Sequence, residues 1–357
     1  MPLTIDGGRV PPLWAERVCS LRAISRDRYS TRTACVRIAF VNNMPDSALE
    51  DTELQFFELL ETASTGIPVC LKLYSLPGIP RGDRGERHLD SFYYNIHDLW
   101  DSRFDSLIMT GTEPLRSDLR EEAYWSALVS VLDWAERSTV SAVLSCLAAH
   151  AGVLHSDGIA RHALDDKRFG VFDCRKVCEH VLTSRIASLM RFPHSRWNEV
   201  REDDLASSGY TVLTRSEEAA VDLFVKKKRR SLFAHFQGHP EYGAQTLLKE
   251  YRRDIRRFLR QERETYPSMP RGYFDAVATG VLENFRERAL SQRHEDLMSA
   301  FPEAAVSMTL QNSWQSPALS VYRNWLQYVV SRKADTPRVA TMPAFRDQGQ
   351  QKSSLIQ

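Results

Sequence analysis

Cys146 and His239 are the residues of this chain best suited to chemistry. Each follows a short apolar run: Val140-Ser141-Ala142-Val143-Leu144-Ser145 before the cysteine, Ser231-Leu232-Phe233-Ala234-His235-Phe236-Gln237 before the histidine. Two strands that end at the same sheet edge would bring a thiol and an imidazole together as nucleophile and base. Glu241 lies two positions beyond His239, and in an extended chain that spacing points both side chains the same way. A carboxylate there would hold the imidazole in one tautomer and stabilise its charged form, the Cys-His-acid logic of covalent acyl transfer. After Cys146 come Leu147-Ala148-Ala149-His150-Ala151. Small residues let a strand turn sharply into a helix, whose N-terminus lowers a thiol pKa. Taken alone, Cys146 reads equally well as a buried structural thiol. His150 is the rival base, but four residues into a helix it would pack rather than reach back.

Glu250 and Arg253 are three residues apart on the helix expected after His239 and so share a face. They read either as a surface ion pair worth under about 1 kcal/mol or as a clamp for a zwitterion, Glu250 for its ammonium and Arg253 for its carboxylate. Pro193-His194-Ser195-Arg196, and Lys167 ahead of Phe169-Gly170-Val171-Phe172, are further polar candidates that singly read as structural. Cys174, Cys178 and His180 make a C-x3-C-x-H cluster. A closed zinc site needs four ligands, and no second pair matches it, so no metal is expected.

The elements that must position these groups follow from the apolar pattern. Strands are expected at 36–41, 69–74 and 104–109, with helices near 48–62, 120–136, 244–261, 276–301 and 318–330. Strand–helix alternation predicts an α/β layer with a mostly parallel sheet. Sites then gather at the carboxyl ends of the strands, and Asn42, Thr110, Cys146 and His239 all fall just past strand ends. The chain divides into an N-terminal extension (1–34), an α/β catalytic domain (35–262), a C-terminal helical segment packing on it (263–332) and a disordered tail (333–357). A net charge of +1 gives no bulk reason to expect nucleic acid as a partner. The run Lys226 to Arg230, set between apolar stretches, reads as a solvated hairpin tip. No stretch approaches the roughly eighteen apolar residues of a membrane span, and Met1 to Val10 carries no secretory core. Scattered cysteines in strand-like runs suggest reduced thiols and a cytoplasmic protein.

Asn43-Met44-Pro45, Thr110-Gly111, Tyr124-Trp125, Cys146, Lys167 with Phe169 to Phe172, Pro193 to Arg196, Gly238-His239-Pro240-Glu241-Tyr242, Glu250 to Asp254 and Asn324-Trp325-Leu326 together resemble the homoserine O-acyltransferase (homoserine O-succinyltransferase) family of methionine biosynthesis. The resemblance covers residues 36–330 and is most specific from Gly238 to Asp254. It implies a flavodoxin-like, class I glutamine-amidotransferase-like sheet with helices on both faces and a C-terminal helical extension. It also implies a ping-pong acyl transfer with acyl-CoA as co-substrate and no bound cofactor. Cys146 would be acylated, His239 would relay protons and activate the homoserine hydroxyl, and Glu241 would orient His239. Lys167, Ser195, Arg196, Glu250 and Arg253 would line the homoserine pocket. The family habit is a homodimer, with no membrane or nucleic-acid partner.

This chain departs from the family on the acyl-donor side. Asp46 and Ser47 stand where the family has two lysines, and Thr110-Gly111-Thr112-Glu113-Pro114 replaces Thr-Gly-Ala-Pro. Leu115 falls at the position associated with acetyl or succinyl choice, and Cys146-Leu147-Ala148-Ala149-His150 replaces Cys-Trp-Gly-Ala-Gln. Succinyl is favoured over acetyl on family frequency. Two other functions use the same features: a glutamine amidotransferase subunit that releases ammonia with the same triad, and a non-catalytic paralogue that binds an amino acid. The intact Cys146, His239 and Glu241 argue against the second.

Overall fold

Short apolar runs, each too short for a helix of its own, become the parallel strands of one ten-stranded sheet in a computed structural model that describes residues 3–22 and 35–334. The first half of the chain gives β1 (Leu3–Ile5), α1 (Pro12–Arg22), β2 (Val36–Val41), α2 (Asp46–Ala63), β3 (Val69–Tyr74), α3 (Asp83–Phe92), α4 (Asp98–Asp101), β4 (Ser106–Met109), α5 (Trp125–Ser138), β5 (Ser141–Ser145) and α6 (Leu147–Asp157). The second half gives β6 (His162–Lys176), β7 (Leu189–Glu199), α7 (Glu202–Ser207), β8 (Thr211–Ser216), β9 (Ala220–Lys228), β10 (Ser231–Phe236), α8 (Thr246–Leu259), α9 (Ala276–Ser291), α10 (Glu303–Ser307) and α11 (Gln315–Ala334). Residues 335–357, most of the expected tail, lie outside the described residues.

The strand order is β1-β3-β2-β4-β5-β10-β9-β8-β6-β7. From β3 to β10 the pairings are parallel, and in chain order these five strands run 2-1-3-4-5, the flavodoxin-like arrangement. Successive side chains point to opposite faces, and both faces are covered. Val36, Ile38 and Phe40 of β2 join the core with Phe56 and Phe57 of α2, Tyr251 of α8 and Trp325 of α11. Ala39 and Val41 face the other way, onto Leu128 and Leu132 of α5 and Ala148 and Ala149 of α6. Helices therefore cover both faces, and the α/β expectation holds.

Residues 3–22 extend this sheet. β1 pairs in parallel with β3, and Trp14 of α1 is buried edge-on to Phe57 at 5.7 Å. Beyond β10 the sheet continues antiparallel through β9, β8, β6 and β7. Arg229 and Arg230 do turn between β9 and β10, but the three lysines lie within β9 and not all are solvated. Lys226 pairs with Asp157 at 2.5 Å, and Lys228 is buried with its ammonium on Ser156. Among the described residues no helix is long and apolar enough to cross a membrane.

His235 of β10 is buried, stacked on Phe224 at 4.8 Å, with neither ring nitrogen in a well-formed hydrogen bond. Burial, helped by the Lys228 charge, pushes its pKa down from 6.5 to about 3. The unfolded chain therefore takes up a proton that the native state refuses. Stability present above the unfolded value is lost as pH falls between these limits, by about 1.4 kcal/mol per pH unit for such a group. Urea unfolding followed from neutral to mildly acid pH should show this slope. The His235→Leu protein should lose about one proton's share of it, and an unchanged slope would contradict the assignment.

Candidate active site

The carboxyl ends of β2, β4, β5 and β10 are neighbours in the sheet, so the segments that follow them meet. The amide of Asn43 donates to Thr110 Oγ1 at 2.8 Å and ties the first two loops together. Cys146 leaves β5 with φ 52 and ψ −113 and caps α6. Its own amide donates to the carbonyl of Phe236 at 2.7 Å, which anchors it to the end of β10. Gly111 is required beside it: a Cβ there would come within 2.9 Å of the Leu147 amide nitrogen. That amide lies in the first turn of α6, where N–H groups have no partner within the helix.

His239 is buried and lines the same cavity as Cys146. Its Nδ1 is 2.8 Å from Glu241 Oε1, which also accepts from Ser145 Oγ at 3.2 Å. The loop is held by a 2.8 Å bond from the His239 amide to the Pro193 carbonyl and by stacking of the imidazole on Tyr242 at 4.2 Å. Gly238 fits because a Cβ would meet Asp222 Oδ1 at 2.5 Å and His194 Nε2 at 2.9 Å. Burial disfavours the His239 charge, but the Glu241 and Cys146 charges and hydrogen bonds outweigh it and raise the pKa well above 6.5. His150 faces elsewhere, with Nε2 at 3.0 Å from Gln237 Oε1. Burial drives its pKa down to about 3, so it is neutral.

These groups open on a cavity of about 540 Å³. Its far wall joins two elements. The β6–β7 hairpin, in which Phe169 pairs with Ser195, brings Lys167 and Ser195, and α8 brings Glu250, Arg253 and Asp254. Glu250 accepts from Tyr242 Oη at 2.7 Å, from Ser195 Oγ and from Lys167 Nζ at 3.3 Å. Lys167 also reaches Asp254 at 3.3 Å, and Arg253 holds the other Asp254 oxygen at 3.1 Å. Four of the five expected pocket residues thus share one network. Arg196 also lines the cavity but stands apart from it. Its guanidinium is buried against the carbonyls of Asn198 and Ala219, and burial lowers its pKa.

Sequence reasoning missed Tyr242 as a link between His239 and Glu250, and Asp254 as the carboxylate between Lys167 and Arg253. Asp254, four residues after Glu250, could have been read from helical spacing. Tyr242, within the histidine loop, gave no such signal. The departures on the donor side fall differently from expectation. Leu115 is 70% exposed and does not line the cavity, whereas Glu113 does and faces Arg257 at 3.5 Å. Asp46 pairs with Arg81 at 3.2 Å and accepts from the Gly82 amide at 2.8 Å. Cys174, Cys178 and His180 do not converge: Cys178 donates to the Val212 carbonyl, and His180 accepts from the Leu182 amide. Cys174 lies instead with His194 and Asp222, all buried.

A cysteine at a strand-to-helix turn, an imidazole and a carboxylate at the carboxyl edge of a flavodoxin-like sheet form an arrangement suited to covalent catalysis. A family model described as homoserine O-succinyltransferase matches residues 15–336. A homoserine O-succinyltransferase of Methylorubrum extorquens is 43% identical over 299 residues, 84% of this chain and 88% of that protein. One of Rhodopseudomonas palustris is 41% identical over 322 residues, 90% of this chain and 95% of that protein. The chain belongs to the homoserine O-succinyltransferase family and is an acyltransferase. A solved glutamine amidotransferase of Methylobacillus flagellatus is similar in backbone alone, at 14% identity over 83% of this chain and 96% of that one, with a TM-score of 0.48.

The Glu241 carboxylate is what lets a buried His239 stay protonated. Its stabilisation is present below pH 6.5 and is lost as pH rises through the raised pKa. In Glu241→Gln the imidazolium should therefore deprotonate at lower pH than in the wild type. NMR titration of the His239 ring reads this directly, and equal titration midpoints would show that Glu241 does not set the charge.

Proposed function

We propose that this protein transfers a succinyl group from succinyl-CoA to the hydroxyl of L-homoserine through a thioester on Cys146, a step of methionine biosynthesis. The reading is carried by one observation: Cys146 and a His239 held by Glu241 line one cavity with the paired cations and carboxylates of Lys167, Glu250, Arg253 and Asp254. The Cys146 thiolate attacks the thioester carbonyl. The C–S bond to CoA breaks, and the leaving thiolate takes the proton of the His239 imidazolium. The Leu147 amide is a donor suited to the developing oxyanion. Neutral His239 then accepts the hydroxyl proton of homoserine, whose oxygen attacks the new thioester. Departure of the Cys146 thiolate restores the starting ion pair. The names of the relatives support both substrates, and a zwitterion matches the charges of Lys167, Glu250, Arg253 and Asp254.

Intact-mass analysis after mixing with succinyl-CoA should find one succinyl adduct, absent together with turnover in Cys146→Ala. Full acylation of that variant would refute the nucleophile.

The far wall should matter only in the second half-reaction. A charge-assisted contact contributes about 1.5–3 kcal/mol, or roughly ten- to a hundredfold. Arg253→Ala and Asp254→Asn should slow transfer to homoserine by that factor in single-turnover measurements and leave Cys146 acylation close to wild type. Equal loss in both steps would assign these residues to the fold or the donor site instead.

A further inference from the structure

The cations around the cavity are not equally occupied. Lys167 and Arg253 are matched by Glu250 and Asp254, Arg257 by Glu113, and Arg196 approaches Glu199 at 3.6 Å. Two arginines of the cavity have no carboxylate among the described residues: Arg263, whose guanidinium is held by the carbonyl and hydroxyl of Thr265 at 2.7 and 3.5 Å, and Arg161. Arg161 keeps more of its donors free. It lies in the connection between α6 and β6, lines the same cavity as Cys146 and is half-buried. One guanidinium nitrogen donates to the carbonyls of Arg116 and Ser117, at 3.2 and 3.0 Å, in the loop that follows Thr110-Gly111. Those two bonds aim the group. Its remaining N–H groups have no partner, and no carboxylate lies within ion-pair distance of it among the described residues. Tyr124, Glu122, Cys146 and Asp118 are the ionisable groups that act on its charge. Glu122 is occupied in accepting from the amides of Leu115 and Arg116 at 2.6 Å.

A fixed guanidinium with free donors facing a cavity suits a planar carboxylate. An acetyl group on Cys146 would offer it nothing. A four-carbon dicarboxylic acyl group would place a carboxylate roughly 4 Å from the thioester carbon, the span of three C–C bonds of about 1.5 Å. We propose that Arg161 binds the distal carboxylate of the acyl group and thereby selects a succinyl-class donor over acetyl. The proposal rests on acyl transfer through Cys146 and adds the residue that chooses the acyl group.

The test compares acylation rates of Cys146 by succinyl-CoA and acetyl-CoA, read by quenched-flow intact mass in wild type, Arg161→Gln and Arg161→Lys. In the wild type succinyl-CoA should react faster. In Arg161→Gln the succinyl-to-acetyl rate ratio should fall by about ten- to a hundredfold, the span of one charge-assisted contact. Arg161→Lys keeps the charge but not the fork, and should recover part of the ratio. Both donors carry the same CoA phosphates, so parallel losses would mean that Arg161 serves CoA or braces the Arg116–Ser117 loop, and would overturn the assignment. A wild type that prefers acetyl-CoA would also overturn it. No adduct from either donor in the wild type would refute the acyl-enzyme itself, a result distinguishable from parallel losses.

Discussion

One backbone hydrogen bond sets the geometry on which the site depends. The amide of Cys146 donates to the carbonyl of Phe236, at the end of the parallel ladder that pairs Ser145 with Phe236. Cys146 and His239 follow different strands, far apart in sequence. Their separation is fixed because both leave the sheet at the same rung, and the turn at Gly238 carries the chain three residues from Phe236 to His239. Glu241 reinforces this from the side chains, since one of its oxygens meets both Ser145 from β5 and His239 beyond β10. An enzyme that must hold a thiol against an imidazole gains more from a shared sheet edge than from loop contacts, since the ladder loses no further conformational freedom when substrate arrives.

The opposite wall is built from a different kind of element. The β6–β7 hairpin and α8 come from separate parts of the chain, and what joins them is charge: Lys167 and Ser195 on one side, Glu250 and Asp254 on the other. Tyr242 connects that wall to the His239 loop, stacked on His239 and hydrogen-bonded to Glu250. A displacement of Glu250 would therefore be felt at the imidazole, which gives a physical route by which occupancy of the far wall could adjust the base.

The sequence was legible where burial is two-sided. β2, β3, β4, β5 and β10 are nearly continuous apolar runs because helices cover both faces, and their ends pointed to the site. The antiparallel half was legible only at the β9–β10 turn. β6 carries His162, Asp165, Asp166, Lys167 and Arg168 on a strand with one largely exposed stretch, so its pattern reads as loop. Helical spacing revealed Glu250 and Arg253, but not that Glu250 already holds Lys167, Ser195 and Tyr242, since those partners arrive through tertiary packing. The same limit explains Leu115. Counting along the loop placed it at the donor site, whereas the amides of Leu115 and Arg116 fold back onto Glu122 and turn its side chain out to solvent.

The backbone of Cys146 lies at positive φ, a region that side-chain-bearing residues enter at a cost of about 1–3 kcal/mol and glycine enters freely. Selection for stability alone would favour glycine at this position. On the proposed acyl transfer through Cys146, the fold is held below its attainable stability by the side chain that takes the acyl group, a trade between durability and activity set at a single position. A lineage that no longer needed the activity would be expected to lose this side chain early, because the first substitution to relax the turn would also strengthen the protein.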